Sequence, residues 1–152
     1  MPTDIAPGLE ECTCLAVRQA ARRITQFYDQ HLAPMGLRTT QFSILAKLKR
    51  LGPTTINALA DELVMDRTTL GRNILPLERD GLISITPARD RRSKELQVTS
   101  AGVERLRVAR KGWSAAQTQF ATAFGEQRTT RLRTLLRAVS ATEFPATTSR
   151  MP

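Results

Sequence analysis

One stretch decides the fold: residues 54–98 read TTINALADELVMDRTTLGRNILPLERDGLISITPARDRRSKELQV. Residues 56–63 carry apolar side chains at the three- and four-residue steps of a helix. A short turn at Val64 and Met65 separates them from residues 66–74, which we interpret as a second helix. Two helices joined by so short a turn predict a helix-turn-helix.

A predicted hairpin follows the second helix. After Gly81, apolar and polar residues alternate over residues 82–86 and again over Lys94–Val98, which is typical of two half-buried strands. The side chains that should share one face are Ile83, Ile85, Leu96 and Val98. The stretch therefore predicts a winged helix-turn-helix, and the fold class is mainly α with a small antiparallel β-hairpin.

Polar and conformationally special residues mark the ends of these elements. Thr54 or Thr55 can cap the first helix and Asp66 the second, because a short side-chain oxygen accepts from the amides of the first turn. Pro76 should kink the second helix or start a new short turn, since proline has no amide donor. Gly81 supplies a left-handed stop.

Apolar-periodic segments lie on both sides of this unit. We expect one helix from Glu10 to about Leu32, another capped by Thr39 or Thr40, and two more that flank a break at Gly125. The chain then consists of a flexible arm, one domain in which dimerisation helices flank a DNA-binding winged helix, and a flexible tail. The boundaries are 1–9 for the arm, 10–142 for the domain, about 39–98 for the winged helix, about 10–33 and 99–142 for the dimerisation helices, and 143–152 for the tail.

The flanking helices carry longer apolar stripes than a compact winged helix can cover. Helices of this kind commonly pack against the same helices of a second chain. This favours a homodimer, whose symmetric partner would be a palindromic operator. The alternative is that the helices fold back on the domain as an ordinary core.

The composition favours a nucleic-acid partner. The 152 residues carry a formal net charge of +9, with a pI of about 10.9. The cations are mostly arginine, whose planar fork suits phosphates and guanine edges, although an acidic membrane surface would also attract them. No run of about 18 apolar residues and no signal-peptide pattern is present, so we expect a cytoplasmic protein without membrane contact.

The start of the second helix carries the side chains expected to meet double-stranded DNA. A helix enters the major groove with its first turns on the base edges. Arginine can bridge guanine, asparagine can bridge adenine, and a threonine methyl can pack on thymine. The candidates are Arg67, Thr68, Thr69, Arg72 and Asn73. Alternatively, one threonine only serves the cap and Arg72 is a solvated charge.

The tip of the predicted hairpin is dense in cations. Arg89, Arg91, Arg92 and Lys94 surround a single acid, Asp90. Asp90 can brace one arginine, which can then enter a narrow minor groove where the potential is most negative. We favour Arg92 for the groove and Arg91 or Lys94 for the phosphate backbone; the alternative is a solvated turn.

Four motifs, taken in order, resemble the MarR family of bacterial transcriptional regulators. They are DRTTL at 66–70, LERDGLI at 77–83, DRRSK at 90–94 and LQVTSAG at 96–102. The likeness covers about residues 10–142. It implies a symmetric homodimer with two wings that acts as a repressor released by a signal. It also implies that the helix at 66–75 reads the major groove and that Arg92 reaches the minor groove.

Members of that family sense oxidants or small, often aromatic or phenolic, ligands. CLAVR at residues 14–18 resembles the CFALY pattern of the family's peroxide sensors, which implies a reactive Cys14 and a partner tyrosine at Tyr28. Arg18 replaces a second tyrosine of those sensors. Cys14 and Tyr28 stand about 21 Å apart along one helix, so they would meet only across two subunits. Alternatively, Cys14 is a small buried hydrophobe.

A ligand pocket is the second candidate for the signal. It would lie between the dimerisation helices and the DNA-binding part and would be lined by Tyr28, Phe42 and Trp113, with Arg18 and Arg22 nearby to suit a carboxylate. The alternative is that these aromatic residues, which recur at helical spacing, belong to the core.

Other classes of function fit the sequence less well. One histidine, His31, and two poorly placed cysteines, Cys12 and Cys14, leave no metal cluster and little catalytic chemistry, so neither an enzyme nor a cofactor is expected. A winged helix that docks proteins and has only non-specific nucleic-acid affinity is the runner-up, but it would not need an arginine-rich tip. RNA binding would call for exposed stacking aromatics in the basic region.

Overall fold

The computed structural model describes residues 8–146 of the chain. Its helices and strands, in chain order, are α1 (Thr13–Leu32), α2 (Thr39–Leu51), β1 (Thr54–Thr55), α3 (Ile56–Glu62), α4 (Arg67–Arg79), β2 (Ile83–Pro87), β3 (Lys94–Val98), α5 (Ser100–Phe124) and α6 (Glu126–Ala141). The predicted fold class is confirmed, because α3, α4 and the β2–β3 hairpin form a winged helix-turn-helix within a mainly helical chain. We call the hairpin the wing.

The chain divides into two compact units, one ending at Ala116 and the other beginning at Gln117. Most of the predicted arm and tail lies outside the described residues. Residues 8–9, at the end of the predicted arm, lead into a short 3-10 turn at Leu9–Glu11, and residues 142–146 have no regular structure. The predicted domain boundaries stay predictions.

The first two helices do not begin where they were predicted to begin: α1 begins later and α2 begins earlier. Residue 12 is the N-cap of α1, and the Sγ atom of Cys12 accepts from the amide of Leu15 at 3.4 Å, so Glu10 lies outside the helix. In α2 the cap position belongs to Arg38. Thr39 is already helical, and its amide and hydroxyl both donate to Oδ1 of Asp29 at 2.7 Å. The predicted threonine cap is therefore wrong, because this threonine tethers α2 to α1 instead.

The caps of the helix-turn-helix agree with the prediction. Oγ1 of Thr55 accepts from the amide of residue 58 at 3.2 Å, and the carboxylate of Asp66 accepts from the amide of Thr69 at 2.9 Å. Between the helices, Val64 has a φ of 51°, in the left-handed region that β-branched residues rarely adopt. The tight turn is thus made by a residue that does not favour its conformation.

Pro76 lies inside α4 without ending it. The helix is continuous from Arg67 to Arg79, so the new turn considered after Pro76 is not formed. Proline removes one amide donor, but the same helix buries Leu70, Ile74 and Leu77, and this packing outweighs one missing hydrogen bond. Gly81 then stops the chain with a φ of 72°, as predicted.

The sheet has three strands rather than the predicted two. β3 lies in the middle and pairs antiparallel with both β1 and β2. The predicted sharing of one face is confirmed by the register, which places Ile83 opposite Val98 and Ile85 opposite Leu96. β1 was missed because two residues are too few to show an alternating pattern.

A joint connects the sheet to α5. Oγ1 of Thr99 donates to the carbonyl of Gly81 at 2.6 Å and accepts from the amide of Gly102 at 3.1 Å, while the amide of Thr99 donates to the carbonyl of Leu82 at 3.1 Å. A Cβ atom on Gly102 would stand 2.2 Å from that carbonyl oxygen. The start of α5 is therefore packed directly onto the backbone beside the wing.

The hydrophobic core lies in the unit that ends at Ala116. Its buried residues come from α1 to α5 and from both wing strands. Fully buried members include Leu32, Ile44, Leu48, Leu59, Leu70, Leu77, Ile83 and Leu96. The core fixes α4 against α2 and the wing, and so holds α4 and the wing in one arrangement.

Candidate nucleic-acid interface

The first turn of α4 is held by its cap and presents cations to the solvent. Asp66 accepts from both the hydroxyl and the amide of Thr69, and these hydrogen bonds lower the pKa of the Asp66 carboxyl. Arg67, Thr68 and Arg72 are exposed. The cap thus holds a helix start whose two arginines, Arg67 and Arg72, are exposed to solvent.

Two of the predicted base-reading side chains are engaged within α4 itself. Oγ1 of Thr69 donates to the carboxylate of Asp66, so this threonine is the member of the pair that serves the cap. Nδ2 of Asn73 donates to the carbonyl of Thr69 at 2.8 Å. The amide nitrogen has a second N–H, so that donor and the Oδ1 atom of Asn73 can still meet a base, and Asn73 stays a candidate contact beside Arg67, Thr68 and Arg72.

The wing tip is braced by Asp90, but not through an arginine side chain as predicted. Oδ1 of Asp90 accepts from the amides of Arg92 and Ser93 at 3.0 and 3.1 Å, and the hydroxyl of Ser93 also donates to the carboxylate. These bonds lower the pKa of the Asp90 carboxyl. A short side chain can reach its own turn more easily than a long neighbouring one. The exposed cations of the tip are Arg89, Arg91, Arg92 and Lys94.

A groove joins α4 to the wing. It has a volume of about 570 Å³, and Arg67 of α4 lines it together with Arg92 and Lys94 of the wing. The structure thus brings together three of the predicted DNA-binding residues, whereas Arg89 and Arg91 lie at the tip outside it. We call this groove the α4–wing groove. Its other lining residues include Asn57 of α3 and Gly71, Ile74 and Leu75 of α4.

The sequence reasoning missed Asn57, Gly71 and Leu75. A signal for the last two was available, because residues 67, 71 and 75 are one helical turn apart and share a face. Asn57 reaches the groove only because α3 packs on α4, and a local sequence pattern does not predict that packing.

The predicted ligand pocket is only partly assembled. Phe42 and Trp113 stack with ring centroids 6.0 Å apart and line an open cavity of about 510 Å³. The lining residues do not include Tyr28, which stands edge-on to Phe27, or Arg18 and Arg22, which are exposed on α1.

The cations at this cavity come from α2 instead of α1. Nζ of Lys47 and Nη2 of Arg50 contact Oε2 of Glu62 at 3.2 and 3.4 Å, and all three residues line the cavity. The sequence reasoning missed this triad, because Glu62 reaches α2 only through the packing of α3 on α2.

The two cysteines are free thiols in different settings. Cys14 is exposed in the first turn of α1, so the alternative that it is a buried hydrophobe does not hold within a single chain. Cys12 is half-buried, because its sulfur caps the helix. Cys14 and Tyr28 lie on one helix, so their predicted meeting would still require a second subunit.

Residues 8–146 contain neither a candidate metal site nor a candidate membrane span. No group of three or more histidine, cysteine or acidic side chains there is arranged to hold a metal ion. None of the helices in that part of the chain is long and apolar enough to span a bilayer.

Comparisons with known proteins point to one family. Residues 37–94 match the profile of the MarR family. YwoH of Bacillus subtilis (strain 168), described as an uncharacterized HTH-type transcriptional regulator, is 31% identical over 83 residues. That match covers 55% of this chain and 61% of YwoH.

Solved structures resemble this one over most of its length. The M. tuberculosis transcriptional regulator MosR, in complex with DNA, is 35% identical with a TM-score of 0.74, and the match covers 86% of this chain and 97% of that one. The transcriptional repressor CouR, bound to a 23-mer DNA duplex, is 25% identical with a TM-score of 0.78, and the match covers 87% and 94% of the two chains. The chain therefore belongs to the MarR family of winged helix-turn-helix transcriptional regulators, a family of DNA-binding proteins rather than enzymes.

Proposed function

We propose that this protein is a homodimer that binds palindromic double-stranded DNA and represses transcription until a signal releases it. The observation that carries the proposal is the α4–wing groove, which Arg67, Arg92 and Lys94 all line. Cations from two elements converge there on a concave surface. Such a surface fits a polyanion that is rigid and regularly charged, and duplex DNA is both.

The two elements suit the two grooves of the duplex. The exposed start of α4 presents Arg67, Thr68 and Arg72, and an α-helix fits the major groove. The wing tip is narrow and its turn is stiffened by Asp90, so Arg92 can enter the adjacent minor groove. MosR and CouR, both solved on DNA, have the same fold, which supports DNA as the partner of this chain as well.

The homodimer is supported by apolar residues on the terminal helices. On α1 only Leu32 is buried, and Val17 is exposed over 41% of its surface. On α6 only Thr129 is buried, and Leu135 and Val139 are exposed over 65% and 49%. Monomeric proteins rarely leave helices so poorly covered, so a second copy of the chain is the expected cover.

Two kinds of signal could release the protein from DNA, a small aromatic ligand or an oxidant, and a different part of the structure supports each. A small aromatic ligand would find the Phe42–Trp113 pair and the cations Lys47 and Arg50 at one open cavity. An oxidant would find the exposed thiol of Cys14 in the first turn of α1.

The test is selection of short duplexes from random sequence at two salt concentrations, with and without peroxide or aromatic acids. A palindrome with half-sites about one helical turn apart would support the dimeric reader. Arg67→Ala should weaken binding, whereas Arg107→Ala removes the same charge from the exposed face of α5 and should not.

Other outcomes separate the alternatives. Weak, steeply salt-dependent binding without a preferred sequence would instead favour the protein-docking role. A peroxide effect that persists in Cys14→Ser would remove the oxidation branch, and insensitivity to aromatic acids would remove the ligand branch.

A further inference from the structure

Three glycines lie inside helices, and the structure explains only two of them by packing within the chain. A Cβ atom on Gly102 would stand 2.2 Å from the carbonyl oxygen of Leu82, and one on Gly112 would stand 2.4 Å from the carbonyl oxygen of His31. A Cβ atom on Gly71 would meet nothing within 4 Å. Glycine disfavours a helix interior, and here no neighbour in the chain requires it.

Gly71 occupies a defined place in the α4–wing groove. It lies one helical turn after Arg67 and one turn before Leu75, and all three residues line the groove together with Arg92 and Lys94 of the wing. Leu75 is exposed over 63% of its surface although it is a large apolar residue. The wing-facing side of α4 therefore has a cation, a gap and an exposed apolar side chain in succession.

The geometry of B-form DNA identifies what would lie in this groove. The major and minor grooves are separated by a sugar-phosphate strand. If α4 enters the major groove and the wing tip enters the adjacent minor groove, that strand must pass between them. Lys94 would then meet a phosphate, because Arg67 and Arg92 extend into the two grooves on either side of the strand, and the apolar face of a deoxyribose would meet Leu75.

We propose that the α4–wing groove holds one sugar-phosphate strand of the duplex and that Gly71 is the notch that lets this strand approach the α4 backbone. Asn57, exposed on α3 at the same groove, supplies a further amide donor for a phosphate. This inference rests on the proposed function, because it needs the protein on duplex DNA. It assigns positioning roles to Gly71, Leu75 and Asn57.

The test is Gly71→Ala, measured for stability and for DNA affinity in the full chain. The methyl group projects into open space, so the urea midpoint should rise. The same methyl would occupy the space of the strand, so affinity for the selected duplex should fall about tenfold or more. The preferred sequence should stay the same, because the strand carries no base information.

Duplexes with single neutral methylphosphonates locate the contact. In the wild-type protein, one substituted phosphate per half-site should weaken binding. At that phosphate, the additional loss caused by Gly71→Ala should shrink, because both changes perturb one contact. Arg107→Ala serves as the control and should keep the full methylphosphonate effect.

Several results would overturn the inference. If the wild-type protein binds a selected duplex and the Gly71→Ala variant binds it with the same affinity, the notch is refuted and the proposed function stays intact. A lower urea midpoint in Gly71→Ala would mean that the chain itself needs the glycine. A changed base preference at unchanged non-specific affinity would place Gly71 against a base. Failure of the wild-type protein to bind any selected duplex would overturn both proposals.

Discussion

Gly102→Ala should destabilise the protein by blocking the joint between the wing and α5. The added Cβ atom would stand 2.2 Å from the carbonyl oxygen of Leu82 and 2.8 Å from Cγ1 of Val98. Ordinary contacts begin near 3.4 Å, so the start of α5 must move away by roughly 1 Å. That movement also strains the hydrogen bond from the amide of Thr99 to the same oxygen.

The magnitude follows from two opposing terms. Overpacking a tight contact costs about 1–3 kcal/mol, and the upper end applies because the nearest atom is backbone and cannot change rotamer. Replacing glycine by alanine in a helix returns up to about 1 kcal/mol. The free energy of unfolding should therefore fall by about 2 kcal/mol.

The measurement is urea unfolding followed by circular dichroism at one fixed protein concentration, because the stability of the proposed homodimer would depend on concentration. With an m-value of about 1–3 kcal/mol per molar urea, the midpoint should fall by roughly 1 M. Gly71→Ala is the matched control, since the same methyl group meets nothing there and the midpoint should rise. A Gly102→Ala protein at least as stable as the wild type would refute this reading of the joint.

Three further changes test other parts of the structure. Arg92→Ala should weaken binding to the selected duplex by roughly 1–3 kcal/mol in fluorescence anisotropy at fixed salt, whereas unchanged affinity would count against the wing assignment. Val64→Gly should raise the free energy of unfolding by about 1 kcal/mol, because glycine relieves the strain of a φ of 51°; a lower melting temperature would contradict this. The pKa of the Asp66 carboxyl is lower in the folded protein than in the unfolded chain, so the ionised cap stabilises α4 at neutral pH, and this stabilisation is lost as the pH falls through the lowered pKa. Asp66→Asn should therefore flatten the dependence of the urea midpoint on acid pH. An unaltered slope would show that the ionised cap does not contribute.

The parts of the fold that could be predicted rest on short-range patterns. The Asp66 cap, the Gly81 stop and the wing register each follow from a few neighbouring residues. The start of α1 could not be predicted, because its cap is the sulfur of Cys12 rather than one of the usual oxygens. The start of α2 depends on Asp29, ten residues away on another helix.

In the candidate site, too, the residue types could be predicted from the sequence, but their arrangement in space could not. The cations of α4 and the wing could be named from the sequence, because their types and their place after a helix-turn-helix indicate DNA contact. Their meeting in one groove depends on how the wing packs beside α4. The ligand pocket was predicted to have arginines of α1 beside Trp113. The open cavity at Phe42 and Trp113 is lined instead by Lys47 and Arg50, because the fold turns α2 toward Trp113.

The hydrogen bonds around Thr99 also determine how this regulator could be recombined with others. Consider a chimera that takes residues up to Val98 from one protein and the rest from another. The carbonyls of Gly81 and Leu82 would then come from the first protein, and the hydroxyl of Thr99 and the packing surface of Gly102 from the second. A chimera that exchanges operator specificity between two such proteins should therefore place its crossover inside α5, beyond Gly102, so that both halves of the joint come from the same parent.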